Sequence, residues 1–375
     1  MSSSLQLGLM VGPAIAVPVP GDVIEALTGV EVTAGDTGPG AFTLQFTMSN
    51  NSVLPTLFLV AGGSPFPIVR VVLTATLNGS VTVLADGVVT QVQVLPGRDA
   101  AHSILQVTGE DLTKLMDKLD LTGLPFPAMP AEAAVALVLA KYAALGVLPL
   151  IVPSIMLDVP IPTEKIPAQQ GTDLKYITAL ATKVGYVFYL SPGPLPGTST
   201  AYWGPRIKVG APQPALNLDM DAFTNAVSIT FSYKPQKSVL PLVFIQNEQT
   251  HIPLVIPIPP ITPLNPPLGL VNPPPSNTLP LRDTAKYTPA QAIMVGIATA
   301  ANTADTVEGT GSLDVLRYGR LLSPRQLVGV RGAGMAFDGL YYVSGVRHSI
   351  KRGEFTQKFT LSRNGLISTV SAVAA

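Results

Sequence analysis

Apolar and polar residues alternate along several stretches of this chain. Phe42, Leu44, Phe46 and Met48 are separated by Thr43, Gln45 and Thr47. A period of two puts one side of a strand in a core and leaves the other side polar. Segments 68–76 and 81–94, rich in Val and Thr, are joined through Asn78-Gly79, a pair that favours the tight turn of a β-hairpin. Asp86-Gly87 predicts a second turn or a bulge in the later run, and residues 103–107 a further short strand. Residues 29–108 therefore predict an antiparallel unit in the form of a small β-barrel.

Helical spacing follows. Leu112, Leu115, Met116 and Leu119 share one face of a short helix that opens at Gly109-Glu110-Asp111. A second helix is expected from about Pro130 to Leu145, with proline near its first turn. Residues 172–184 carry the clearest signal. Thr172 can cap, Asp173 suits the N-terminal dipole, and Leu174, Ile177, Leu180, Ala181 and Val184 form the apolar stripe. Gly185 stands where a helix C-cap belongs. A strand at 186–190, a turn over 191–197 and a strand through Tyr202 and Trp203 complete a small α/β element.

Strict alternation resumes at Val227, Ile229, Phe231 and Tyr233. Residues 251–280 hold eleven prolines. Proline fixes φ and lacks a donor, so this segment is expected to be neither a helix nor a central strand. It is too apolar for a solvated linker and reads as an extended arm packed on its own or a neighbouring subunit. A helix over 288–302 starts with Pro289. Strands at 327–330, 339–350 and 354–363 end the chain, the last two joined through Lys351-Arg352-Gly353. The expected class is α+β, mainly β. A first β-barrel spans 1–108, a helical and α/β insertion spans 109–215, and a second barrel spans 216–375, including the proline-rich arm 251–280.

Composition sharpens this picture. Of 375 residues, 47% are apolar and only 12% charged, against roughly 25% charged in ordinary soluble domains. So little charge implies a surface largely covered by other subunits. Lys and Arg number 23, as do Asp and Glu, for a net charge of zero. No basic run offers phosphates a binding surface, so no nucleic-acid partner is expected. The absence of cysteine excludes disulfides, cysteine nucleophiles and thiolate metal sites. The N-terminus lacks a basic leader region and is broken by Pro13, Pro18 and Pro20, so it makes a poor signal peptide. The best spanning candidate, 131–156, is interrupted by Lys141, Pro149 and Pro153, and no membrane span is expected.

Candidate chemistry is sparse. The histidines, His102, His251 and His348, are isolated, and neither a G-x-S-x-G elbow nor an H-E-x-x-H motif is present. Ser80 falls in a hairpin turn. Asp219 and Asp221 read as a solvated turn. Glu110 and Asp111 are explained by a helix start. Gly309, Gly311 and Gly332 read as turn glycines, and His348 as a strand side chain. No catalytic, cofactor-binding or metal-ligating residue is assigned, no cofactor is expected, and the chain reads as a non-enzyme. Two other classes compete. A cell-wall hydrolase needs a carboxylate pair in a cleft. A carbohydrate-binding protein needs aromatics on a flat face, whereas aromatics here are 6% and sit mostly at core positions.

The C-terminal block 337–365 resembles the closing hairpin of the late control protein D family, the hub proteins of contractile phage tails, related to the hub part of type VI secretion spike proteins. The shared pattern is Gly339, Tyr341 and Val343, then Val346, His348 and Ile350, the turn at Gly353, and the strand through Phe359, Leu361 and Arg363. Segment 170–189 resembles the family's middle helix and strand, and 221–227 the start of its second barrel. The segments 131–160 and 251–280 have no counterpart in that pattern. The resemblance implies two tube-like barrels per chain and a homotrimer forming a pseudo-six-fold ring. Such a baseplate hub would adapt a six-fold inner tube, or its initiator protein, above to a three-fold spike below, touch other baseplate proteins, and transmit contraction force without catalysis. With no needle following residue 375, the spike is expected to be a separate polypeptide. The chain would be made in the cytoplasm and built into a phage-tail-like particle.

Overall fold

The computed structural model describes residues 5–36, 38–48, 54–55, 57–58, 68–96, 103–154, 166–246, 253–259, 265–281, 284, 288–370 and 373. The N-terminal part contributes β1 (Leu5–Gly12), β2 (Val17–Pro18), helix α1 (Gly21–Ala26), β3 (Leu27–Gly35), β4 (Ala41–Met48), β5 (Arg70–Leu77), β6 (Ser80–Pro96) and β7 (Ser103–Asp111). The alternation read at Phe42, Leu44 and Phe46 is that of β4, where all three side chains are buried. Asn78 and Gly79, at φ 51° and 82°, connect β5 to β6 with Leu77 opposite Ser80. At Asp86-Gly87 the chain does not turn. β6 runs on, and the register instead slips next to Leu84 and again at Thr90, bending one long strand so that its halves serve two layers.

The middle of the chain is a separate packed body. It comprises α2 (Thr113–Met116), α3 (Ala131–Ala140), β8 (Val147–Ile151), α4 (Asp173–Lys183), β9 (Val187–Pro192) and β10 (Ser199–Gly204), with the sheet order β8-β10-β9. Its core holds Val135, Val138, Ile177, Phe126 and Trp203. Thr172 caps α4 by accepting a hydrogen bond from the Lys175 amide at 3.3 Å, and Gly185 follows at φ 72°. The helix expected over 130–145 stops at Ala140 and closes through a 3₁₀ turn at Ala143–Leu145 onto Gly146, φ 76°. The apolar stretch 131–154 is thus a short helix and a strand. No helix among the described residues is long and apolar enough to cross a membrane.

The C-terminal part contributes β11 (Gln213–Asn217), β12 (Ala226–Tyr233), β13 (Val239–Gln246), β14 (Pro253–Pro257), β15 (Gly269–Val271), β16 (Asn277–Leu281), α5 (Pro289–Thr303), β17 (Val307–Asp314), α6 (Val315–Tyr318), β18 (Leu327–Arg331), β19 (Gly339–Lys351), β20 (Glu354–Arg363) and β21 (Leu366–Ser368). Thr288 and Gln291 form a reciprocal capping box at the start of α5. The described residues of the proline-rich arm form strands rather than a featureless extension. β14 and β16 flank β13, and β15 pairs with β21. The prolines are tolerated because β14 and β16 are edges, where a missing donor leaves no ladder partner unsatisfied. This small sheet packs on α5 through Val243, Ile245, Ile258, Ala292 and Ala300.

The N- and C-terminal strands join in one 13-stranded sheet of order β12-β17-β20-β19-β3-β4-β7-β6-β5-β1-β2, with β18 and β11 branching from β19. The joint is β19 against β3, seven residue pairs from Gly345–Gly35 to Lys351–Gly29. Their buried sides share one core, with Val30, Val32, Phe42, Leu44 and Leu105 from one half and Leu313, Val346, Phe359 and Leu361 from the other. Mainly β with packed helices, the molecule has the class its sequence implies.

Candidate assembly surface

Among the described residues, those that sequence reading singled out for chemistry are not gathered in one site. His348 lies on the buried side of β19, and its Nδ1 faces Gln357 Nε2 at 3.2 Å. Gln357 also donates to the Leu322 carbonyl and accepts from the Leu322 amide, both at 2.9 Å. Burial lowers the imidazole pKa to about 4, so the ring is a neutral acceptor at neutral pH. Asp219 and Asp221 sit exposed in a loop, at φ 44° and 49°. Glu110 and Asp111 end strand β7 instead of opening a helix. Asp111 accepts from the Gly40 amide at 2.6 Å and the Thr113 amide at 3.0 Å. Burial raises its pKa, while the hydrogen bonds from Thr113 and Gly40 oppose the rise. Ser80 starts β6 beside its hairpin turn. His102 and His251 lie outside the described residues. Among the described residues, no three His, Asp or Glu side chains stand close enough to hold a metal ion.

Gly309 and Gly311 are not turn glycines. They lie inside β17, where a Cβ on Gly311 would stand 2.4 Å from the Ser228 carbonyl oxygen and 2.7 Å from the Phe359 ring. A Cβ on Gly309 would stand 3.0 Å from the Phe231 ring. Small residues there let aromatic rings lie flat against the strand. Gly332, at φ 84°, is a turn glycine as expected.

What the fold does build is a surface. Eight consecutive strands, β12-β17-β20-β19-β3-β4-β7 and the second half of β6, form one antiparallel layer. Residues opposite one another on neighbouring strands share a face. On the side away from the core, Thr230, Thr310 and Thr360 stand in register. So do Ser228, Ser312, Lys358, Arg347 and Thr33. Further rows are Thr356, Ser349, Glu31, Thr43 and Thr108, then Gln45, Gln106 and Gln93. The face is therefore a sheet of hydroxyls and amides running across both halves of the molecule. A concavity of about 500 Å³ opens on it between Thr33, Thr230, Thr310, Thr360, Arg347 and Lys358.

The few charges on this face are mostly compensated. Arg347 pairs with Glu31 across β19 and β3. Lys234 and Lys237 both reach Glu308, at 2.6 and 2.9 Å. Their hydrogen bonds, that from Lys234 first, hold the Glu308 pKa below the usual carboxylate range. The sequence signal for this face was the polar half of each alternation, Thr43 and Gln45 in β4 among them. It could not tell that eight such halves would align.

Behind the layer, buried cations fix the fold. Arg363 donates to the carbonyls of Gly365, Asp338 and Ala336 at 2.7, 2.8 and 2.8 Å and lies 4.5 Å from the Tyr341 ring centre. The Arg and Tyr positions of the C-terminal motif thus hold the 332–338 loop. Arg70 forms a buried pair with Asp86 at 2.7 Å and donates to the Gly197 carbonyl at 2.9 Å. Ser199 donates to the same carboxylate at 3.2 Å. This cluster ties the middle body to the large sheet.

No protein-family model matches the chain, and no curated protein matches it by sequence. Solved structures do. A tail protein from Neisseria meningitidis MC58 is 14% identical with a TM-score of 0.62, covering 96% of this chain and 98% of its own. The 43 kDa tail protein of prophage MuSo2 from Shewanella oneidensis gives the same identity and TM-score, with 96% and 99% covered. An E. coli component of the type VI secretion system, described as structurally similar to T4 bacteriophage tail proteins gp27 and gp5, is 13% identical with a TM-score of 0.52. It covers 93% of this chain and 75% of its own. The chain has the fold of phage tail proteins, over nearly its whole length.

Proposed function

We propose that this chain is the structural hub of a contractile, phage-tail-like injection machine. In this reading it is a homotrimer that adapts a six-fold inner tube to a three-fold spike, contacts neighbouring baseplate proteins and carries contraction force. The observation that carries the reading is the eight-stranded layer, polar and nearly charge-compensated on one face, backed by a continuous core on the other. Such a face suits the wall of a water-filled channel, along which cargo passes without strong binding. The layer divides into two sets of four strands, β3, β4, β7 and β6 from the N-terminal half and β12, β17, β20 and β19 from the C-terminal half. Three copies would supply six such sets, which meets a six-fold ring on one side and a three-fold axis on the other. In this scheme residues 1–108 and 216–375 are the two tube-like domains and 109–215 the insertion between them.

Low charge supports the same reading. Obligate interfaces are large and apolar, and the chain leaves Ile15, Phe223, Val227, Leu254 and Met335 more than half exposed. The role is mechanical, with partners above and below and no chemistry of its own. Electron microscopy of the purified chain, with light scattering for its mass, tests this. The expected result is a three-fold ring with a central channel. A monodisperse monomer at micromolar concentration would refute it.

A further inference from the structure

A cavity of about 180 Å³ lies where the three parts of the chain meet. Asp36, just after β3, lines it from the N-terminal part. Tyr189 of β9 and Tyr202 of β10 line it from the middle body, and Arg325 and Tyr342 from the C-terminal part. Arg206, in the segment after β10, completes the polar wall. Ile207 and Val209 also line the cavity and are 38% and 45% exposed, which marks its open side. None of these residues belongs to the concavity on the polar face of the sheet.

The charges around the cavity do not balance. Two guanidinium groups line it and only one carboxylate. Arg206 is held in place, donating through Nη1 to Asn302 Oδ1 at 2.7 Å. Its Nη2 lies 3.3 Å from Asp36 Oδ2. Arg325 donates through Nη2 to the Gly35 carbonyl. Its guanidinium carbon lies 3.7 Å from the centre of the Tyr189 ring, which stacks on Tyr202 with centres 4.9 Å apart. Burial works against the Arg325 charge, and Asp36 and Asp111 favour it only from a distance. The Nε of each arginine is buried and has no hydrogen-bond partner. A buried charged donor left unpaired is costly, and a counter-anion removes that cost. The backbone at Arg325 is unusual as well. It takes φ 65°, a conformation that non-glycine residues rarely adopt and that collects at functional sites.

We propose that this cavity binds a small ring-bearing carboxylate, with its charge set against Arg325 and Arg206 and its ring among the three tyrosines. Size limits the ligand. A cavity of about 150 Å³ takes up benzene, so one of about 180 Å³ accepts one ring with a carboxylate and leaves no room for a nucleotide. Charge limits it to a monoanion, because two arginines less Asp36 leave a single positive charge. Shape favours a carboxylate, whose two oxygens accept side by side from a planar guanidinium. Tyrosine and aliphatic walls suit the ring. A ligand in this place touches all three parts of the chain and fastens the middle body to both halves of the large sheet. The site is independent of the hub reading, and either can fail without the other.

The test titrates benzoate into the full-length chain by calorimetry, with benzamide as the uncharged counterpart. Saturable binding to each chain is expected, with a dissociation constant of about a millimolar for so small a ligand. Benzoate should also raise the melting temperature, and benzamide should not bind. Arg325→Gln and Arg206→Gln should each weaken binding about tenfold or more through loss of a charged hydrogen bond. Val209→Trp, at the exposed rim, should block the mouth and abolish binding with an unchanged circular dichroism spectrum. That variant keeps the test decisive where an arginine variant fails to fold. Unsaturable uptake of benzoate, or equal affinity in wild type and Val209→Trp, overturns the proposal. Inorganic phosphate binding as tightly as benzoate would leave no role for the ring. Tighter binding of N-acetylglutamate amide would assign the cavity to an acidic side chain of a partner protein. Either result overturns the assignment to a small ring-bearing acid.

Discussion

Burial of His348 couples the stability of the molecule to pH. In the folded chain the imidazole titrates near 4, whereas an unfolded histidine titrates near 6.5. Between these values the unfolded chain binds a proton that the folded chain refuses. Stability from this residue is therefore complete above pH 6.5, falls as the pH drops toward 4, and is level below that. The full gap corresponds to about 3 kcal/mol. Urea unfolding followed from pH 7 to pH 4 should show this decline, and His348→Gln should show a shallower one. Equal declines in both proteins would remove His348 as the cause. From sequence this histidine was expected to be a strand side chain. Its burial against Gln357, which is in turn bonded to the Leu322 backbone 35 residues before it, came only from the pairing of β19 with its neighbours.

Elements were legible where their cause was local. Asn78-Gly79 fixes a two-residue hairpin because both positions take positive φ. Thr288, Pro289 and Gln291 fix the start of α5 through a capping box. The ends of β19 and β20 follow from the turn at Arg352-Gly353, where Gly353 takes φ 77°. Elements were misread where the cause was a distant neighbour. Gly309 and Gly311 look like loop residues in isolation, yet they are strand residues that admit Phe231 and Phe359. Gly311→Ala is expected to destabilise by about 1–3 kcal/mol, the usual range for overpacking a fitted site. Its added methyl would meet the Ser228 carbonyl and the Phe359 ring. A chemical denaturation midpoint equal to wild type would show that β12 can move aside. The arm was expected to be extended and not a central strand, and β14 and β16 are edge strands; which neighbours they take was decided only by the tertiary structure.

At the scale of the whole molecule, the decisive contacts join parts far apart in sequence. Arg70 and Asp86, buried together, meet Gly197 and Ser199 of the middle body. Asp86→Ala leaves a buried guanidinium without its counter-charge, and the expected loss is about 3–5 kcal/mol. Because the cluster also holds the 193–197 turn, cleavage in that turn by a protease at low concentration should accelerate in the variant. Unchanged cleavage with lowered global stability would mean that the middle body is held by its apolar contacts alone.

The sequence by itself determined those strands and helices whose cause is local, with their caps and turns, the mainly β class, and the shortage of charge that points to assembly. These follow from side-chain period and backbone preference, which act over a few residues. Only the tertiary structure decided that β19 would pair with β3 and fuse the two halves into one sheet. That joint then set eight polar strand faces side by side. Register between strands more than three hundred residues apart is chosen by which buried faces fit one core, a property of the folded whole that no local pattern carries.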